Sequence, residues 1–257
     1  MCDFHCHSVP YVDDGAEDIE EAKKIIESEY RQGVRLVVMT VHLRYGMFDT
    51  PIERVRESFY KIQKWLNESK MAEMKIFLSR EYYCDERLES LLDGYKNGFE
   101  EIIYHGKRYH PYDEILPIGS KKGILLEFSS NSMQENEFEI FVKKASYAGL
   151  TPIIAHVERY PVVQNNPSIV KNMKENGAYI QVNSNSVLSK ASKKEIETTK
   201  FLIKNQMVDI ISSDAHDVID RPVNLKKCYG ALRKKYGKSI ADKLLRDNAY
   251  SLIYEIS

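Results

Sequence analysis

Residues 34–42 read VRLVVMTVH, an apolar run almost unbroken from Val34 to Thr40 that ends on a histidine. Upstream, Ile19, Ala22, Ile25, Ile26 and Tyr30 recur at spacings of three and four, and Gly33 stands where a helix would stop. Downstream, Pro51 opens a second helical pattern carried by Ile52, Val55, Phe59, Ile62 and Leu66. A short apolar strand with a helix on each side is the repeating unit of a parallel sheet with helical crossovers.

The unit recurs in both directions. Comparable runs lie at about 1–5, 75–78, 124–128, 152–155, 178–182 and 208–211, with helix-period segments at about 134–147, 168–176, 192–205 and beyond Pro222. Seven strands alternating with helices are satisfied by an open sheet or by a closed barrel. No Ser-, Gly- or Pro-rich linker divides the chain, so residues 1–257 are expected to form a single domain. Only residues 94–122, polar, tyrosine-rich and punctuated by glycine, break the rhythm; a long loop or lid is expected there.

Composition narrows the class. With 43% apolar and 29% charged residues in 257, the chain can bury a sizeable core, which excludes a disordered or fibrous protein. Lys plus Arg number 37 against 38 Asp plus Glu, so the basic excess of a nucleic-acid binder is missing. Cys2, Cys6, Cys84 and Cys228 form no CxxC pair, which argues against a disulfide-stapled scaffold. The first residues carry Asp3, His5 and His7 where a signal peptide needs an apolar stretch, and no run approaches the ~18 apolar residues of a membrane span. The expectation is a cytoplasmic protein with no membrane span and no nucleic-acid partner.

The chemistry collects at the strand ends. The first strand runs into Asp3-Phe4-His5-Cys6-His7, the second into His42, the fifth into His156 and the seventh into Ser213-Asp214-Ala215-His216. Glu81 follows the third strand, Glu127 ends the fourth, and Asp13-Asp14-Gly15 lies in the loop after the first. Each has an ordinary explanation alone: HxH recurs by chance, Asp-Asp-Gly makes a turn, Glu127 could be a paired core carboxylate and Asp214 a helix cap. Coincidence at six of seven strand ends is harder to sustain, because carboxyl ends of parallel strands share one face and unpaired buried carboxylates repel. Cations remove that repulsion. Imidazole and carboxylate without thiolate suit Mn, Fe, Zn or Co in open coordination. Nine candidates (His5, His7, Asp14, His42, Glu81, Glu127, His156, Asp214, His216) exceed the needs of one ion, so two or three are implied. Such sites activate water near neutral pH and clamp a phosphoryl group. Arg44, Arg159 and Arg221 follow three of these histidines closely and suit phosphate oxygens, with simple charge balance as the alternative. None of the cysteines has Arg six positions on, as a cysteine-nucleophile phosphatase loop requires; those positions are Ser8, Val12, Ser90 and Lys234.

These stretches, DFHCH with VDDG, HLRYGMFDTP at 42–51, REYY at 80–83, LLEFS at 125–129, IIAHVERYP at 153–161, QVNS at 181–184 and SSDAH with DRP at 212–222, resemble the polymerase-and-histidinol-phosphatase (PHP) superfamily. Within it the chain is similar to the bacterial protein-tyrosine phosphatases of capsule and exopolysaccharide clusters. The resemblance implies a distorted (β/α)7 TIM-like barrel of PHP type with three divalent metal ions, manganese first. It places His5, His7, Glu81 and Asp214 on one ion, Glu81, Glu127 and His156 on a second, and Asp14, His42 and His216 on a third. Arg44, Arg159 and Arg221 match phosphate binders, a metal-activated hydroxide would attack, and the substrate would be a phosphotyrosine protein, notably a bacterial tyrosine kinase tail. Alternatives are another PHP phosphoesterase such as a histidinol phosphatase, an amidohydrolase-type metal hydrolase, which also opens on HxH, or a non-enzymatic partner of a kinase or export complex. Two departures stand out: Arg80, expected as a phosphate contact or a surface charge, and His105 and His110 in the 94–122 segment, which match no ligand position.

Overall fold

In the computed structural model, which describes residues 1–131 and 134–255, the first helix begins where the side chain of Asp18 accepts the N–H of Glu21 at 2.8 Å. It spans Ile19–Arg31, buries Ala22, Ile25 and Ile26, and hands the chain to the next strand through Gly33. The strands are β1 (Cys2–Cys6), β2 (Leu36–Leu43), β3 (Lys75–Tyr83), β4 (Ile102–Tyr104), β5 (Lys107–Tyr109), β6 (Gly123–Glu127), β7 (Thr151–Ile154), β8 (Tyr179–Asn183) and β9 (Ile210–Ser212). Seven of them form one parallel sheet in the order β1-β2-β3-β6-β7-β8-β9, while β4 and β5 make a separate antiparallel hairpin.

The sheet curls until its outer strands meet. A bridge joins Cys6 to Ala215, His7 N–H donates to the Ala215 carbonyl at 2.8 Å, and Asp214 N–H donates to the His5 carbonyl at 2.9 Å. The result is a nearly closed seven-stranded barrel. Alternation sorts its side chains: Cys2, Phe4, Leu36, Val38, Leu125, Ile153 and Ile210 fill one core cluster, whereas Val37, Met39, Val41, Leu126, Ile154, Val182 and Ile211 pack in the other with the helices. Burial on both faces explains why the strands read as continuous apolar runs.

One end of the barrel is closed. Ala249, Leu252 and Ile253, from the helix Asn248–Ile253, join Ile118 and the inner cluster. The loop above this helix runs so close that a Cβ on Gly119 would fall 2.2 Å from the Ile253 Cα. The other end, where the strands finish, carries the candidate chemistry.

The segment 94–122, expected as a long loop or lid, carries secondary structure of its own. It contains the β4–β5 hairpin, bonded to Asp49 through Lys107 and Tyr109, and a helical turn, Pro111–Glu114, tied to β3. The Tyr82 hydroxyl donates to the Glu114 carbonyl at 3.0 Å and accepts Leu116 N–H at 2.6 Å. Arg80 corrects its expectation too: fully buried, it pairs with Glu114 at 2.7 Å, so it is neither a surface charge nor a phosphate contact. Arg87, also buried, pairs with Asp49, which accepts from Lys107 as well.

Candidate metal centre

β1 brings two imidazoles to one point. Its register against β2 shifts between Asp3 and Cys6, and the Nε2 atoms of His5 and His7 come within 3.0 Å of each other. Glu81 Oε2 lies 3.0 Å from His5 Nε2 and 3.1 Å from His7 Nε2. Glu81 belongs to β3 itself rather than to the loop after it. Its other oxygen stands 3.0 Å from His156 Nε2, and Asp214 Oδ1 stands 3.4 Å from His5 Nε2.

A second group gathers beside the first. Asp14 Oδ1 lies 3.5 Å from His42 Nε2 and 3.5 Å from His216 Nε2, with the His7 ring against both imidazoles. His42 Nδ1 faces back toward Glu81 at 3.2 Å and Glu127 at 3.7 Å, so this ring joins the two groups. All nine candidates therefore meet at one mouth. Donor atoms lie within 4.8 Å of one another in three overlapping sets: His5, His7 and Glu81; His7, Asp14, His42 and His216; His42, Glu81 and Glu127.

Donor chemistry fits cations. His42 Nδ1, His156 Nδ1 and His216 Nε2 are buried without a hydrogen-bond partner among the described residues. Burial opposes charge on Glu81, yet the imidazoles of His5 and His42 hold its carboxyl well below the usual range. Burial and the neighbouring charge of Glu81 push Glu127 up to about 8. Burial also opposes charge on Asp214, but Arg159 and His5 hold it well below the ordinary value. Carboxylates this close repel one another, and a multivalent cation between them relieves both that repulsion and their desolvation.

The arginines divide. Arg159 and Arg221 reach the centre, each with Nη2 on Asp214 Oδ2, at 2.9 and 3.0 Å. Arg44 instead lies over the Tyr83 ring at 4.2 Å and lowers the Glu127 carboxyl from that side. His105 and His110 stay out: the first stacks on Tyr45 and the second bonds the Glu100 carbonyl.

Three supporting residues stand outside the nine candidates. Asp13 was legible only as a turn, yet its Oδ2 takes His7 Nδ1 at 3.0 Å and His42 N–H at 3.0 Å. Its loop lies so close to β1 that a Cβ on Gly15 would fall 2.1 Å from the His7 carbonyl oxygen. The others are Gln181 and Asn183, buried amides on β8, the one barrel strand to which no ligand was assigned. Their signal is the polar Gln181, Asn183 and Ser184 of QVNS, at a strand end aimed at the mouth.

Comparison with known proteins finds relatives over nearly the whole chain. A solved structure described as that of YwqE from Bacillus subtilis and CpsB from Streptococcus pneumoniae, metal-dependent tyrosine phosphatases, superposes with a TM-score of 0.82 at 24% identity, covering 99% of this chain and 96% of the other. In sequence, the tyrosine-protein phosphatase YwqE of Bacillus subtilis is 26% identical over 98% of this chain and 91% of its own. The tyrosine-protein phosphatase CpsB of Streptococcus pneumoniae is 30% identical over 99% of both chains. Since the model of the family Capsular polysaccharide synthesis, CpsB/CapC matches residues 1–254, the chain belongs to that family.

Proposed function

We propose that this chain is a metal-dependent protein-tyrosine phosphatase acting on a phosphotyrosine protein of capsular or exopolysaccharide synthesis, in the first place a bacterial tyrosine kinase tail. The observation that carries this reading is the convergence of nine imidazole and carboxylate donors under two guanidinium groups. Three divalent ions are proposed, manganese first, with Fe, Zn or Co compatible with the same ligands. His5, His7, Glu81 and Asp214 would hold one, Glu81, Glu127 and His156 a second, and Asp14, His42 and His216 a third. His42 also faces the second group, which supports a closely spaced cluster. Bound there, divalent ions supply Lewis-acid polarisation of the phosphate and a water nucleophile active near neutral pH.

The protein's own groups do the rest. Arg159 and Arg221 each touch Asp214 through Nη2 and keep more than a third of their side-chain surface exposed, 37% and 36%. Their remaining N–H groups suit the three oxygens of a phosphate monoester. Arg44, beside Glu127, would add a third cation to the rim. The leaving group is a phenolate, whose pKa of about 10 asks little of a proton donor. No thiol takes part: burial raises all four cysteines, and none stands six residues before an arginine. Four free cysteines support a reducing, cytoplasmic place of action, and no helix among the described residues is long and apolar enough to cross a membrane.

The test is turnover of a phosphotyrosine peptide, histidinol phosphate and a 5′-phosphorylated oligonucleotide by the same preparation, before and after chelation. The peptide is expected to be turned over fastest, with activity lost on chelation and restored by Mn²⁺. Full activity in metal-free protein, or preference for histidinol phosphate, overturns the proposal.

A further inference from the structure

β8 contributes no ligand, yet its side chains touch the ligands of three other strands. Gln181 is fully buried. Its Oε1 accepts the backbone N–H of His156 at 2.5 Å and lies 3.5 Å from Nδ1 of His5. Its Nε2 donates to Asn183 Oδ1 at 2.8 Å, and Asn183 Nδ2 donates to Asp214 Oδ2 at 2.8 Å. The chain of bonds has one polarity. A backbone N–H can only donate, so Oε1 must face His156; Nε2 must then face Asn183, whose own NH₂ is left for the Asp214 carboxylate.

Two of the residues served have strained backbones. His156 has φ +31° and Asp214 φ +54°, both in the left-handed region that side chains other than glycine's disfavour. Such conformations persist only where surrounding contacts over-determine them. The His156 N–H is held by Gln181, and the Asp214 N–H by the His5 carbonyl.

We infer that Gln181 and Asn183 act together as positioning residues: one amide relay that sets the geometry of His5, His156 and Asp214 before any ion arrives. Gln181 holds the turn carrying His156 and keeps the His5 ring with Nε2 directed inward. Asn183 joins Arg159 and Arg221 on Oδ2 of Asp214, leaving Oδ1 toward His5 and His7. A ligand set fixed in this way binds metal without first spending free energy on ordering, and loss of such outer partners lowers metal affinity roughly tenfold to a hundredfold. This inference rests on the metal-centre reading proposed above.

The experiment is a Mn²⁺ titration of the metal-stripped full chain, with the melting temperature of the stripped protein measured alongside. Gln181→Met keeps length and volume but removes both hydrogen-bonding ends; Asn183→Ala removes the second link. Gln181→Met is expected to weaken Mn²⁺ binding roughly tenfold to a hundredfold, and Asn183→Ala measurably but by less, since Arg159 and Arg221 still hold the same Asp214 oxygen. Because both break one relay, the double variant should be no weaker than the worse single variant. Unchanged affinity in Asn183→Ala, or losses that multiply in the double variant, overturns the relay. Should Gln181→Met fail to fold, Asn183→Ala alone decides, since among the described residues its removed atoms bond only Gln181 and Asp214. A wild type that binds no Mn²⁺ would instead sink the metal-centre reading itself.

Discussion

Arg159 binds Asp214 on the oxygen that faces away from the histidines. Its Nη2 meets Oδ2 at 2.9 Å, while Oδ1 stands 3.4 Å from His5 and 3.7 Å from His7. One carboxylate thus serves the donor cluster with one oxygen and aims a guanidinium over it with the other. Arg159→Ala should keep its full metal content, because Arg221 still holds the same oxygen, and lose roughly tenfold to a hundredfold in kcat/KM on a phosphotyrosine peptide. Arg159→Lys, which keeps the charge and loses the fork, should fall between. Wild-type kinetics in Arg159→Ala would remove this residue from the substrate site.

Glu81 reaches His5, His7, His42 and His156, more of the candidate histidines than any other carboxylate of the nine. Glu81→Gln preserves its size and removes its charge. The variant should lose at least one ion per chain by elemental analysis and at least a hundredfold in kcat, far more than Cys84→Ala. Unchanged metal stoichiometry in folded Glu81→Gln would contradict a shared-ligand role.

Gly15 is required by proximity. With its Cβ 2.1 Å from the His7 carbonyl oxygen and 2.6 Å from the His7 Cβ, Gly15→Ala must push the Asp13-Asp14 loop off β1. The expected result is weaker binding of one ion, with the circular dichroism spectrum retained. Metal titration checks it, and wild-type affinity would show that the loop can absorb the extra atom.

Glu158 offers a pH test. Fully buried, with Oε1 taking Asn183 N–H and the Ser186 hydroxyl and Oε2 without a partner among the described residues, its carboxyl is pushed up from 4.5 to about 7 by burial. Between those values the folded chain binds the extra proton, so this group's contribution to stability falls as pH rises from 4.5 to 7. Glu158→Gln should therefore leave stability at pH 5 nearly unchanged and raise it at pH 8 by the order of 2 kcal/mol, several degrees in Tm. An equal effect at both pH values would refute the assignment.

The Arg80–Glu114 pair predicts a purely structural loss. Glu114→Ala strands a buried guanidinium, which costs about 3–5 kcal/mol, while the folded fraction keeps its KM for a phosphopeptide. A raised KM with unchanged Tm would return Arg80 to the substrate.

The barrel was legible because burial on both sheet faces leaves apolar runs, and helical crossovers leave three- and four-residue spacings between them. β3 outran its predicted length because Ser79, Arg80, Glu81 and Tyr82 are polar yet buried, each against a partner that periodicity does not show. The β4–β5 hairpin hid for another reason. Its two-residue turn, His105-Gly106, has the positive φ pair, +45° and +77°, of a tight hairpin, but its strands are only three residues long. At the centre, charged and imidazole side chains declared themselves, whereas Gln181 and Asn183 did not: an amide acquires its role only from what stands opposite it. Asp13 was read as a turn and is one, with Oδ1 on Gly15 N–H; the second oxygen, on His7, is the part that local sequence leaves out.

The seam between β1 and β9 has a consequence for synthesis. His5 and His7 are made more than two hundred positions before Asp214 and Ala215, whose backbones close onto theirs. A nascent chain exposes its histidines early but has no Asp214, no His216 and no barrel wall to set them against. The centre therefore cannot be completed until the last strand has left the ribosome, and a truncated product lacking that strand carries the first ligands without the enzyme's site.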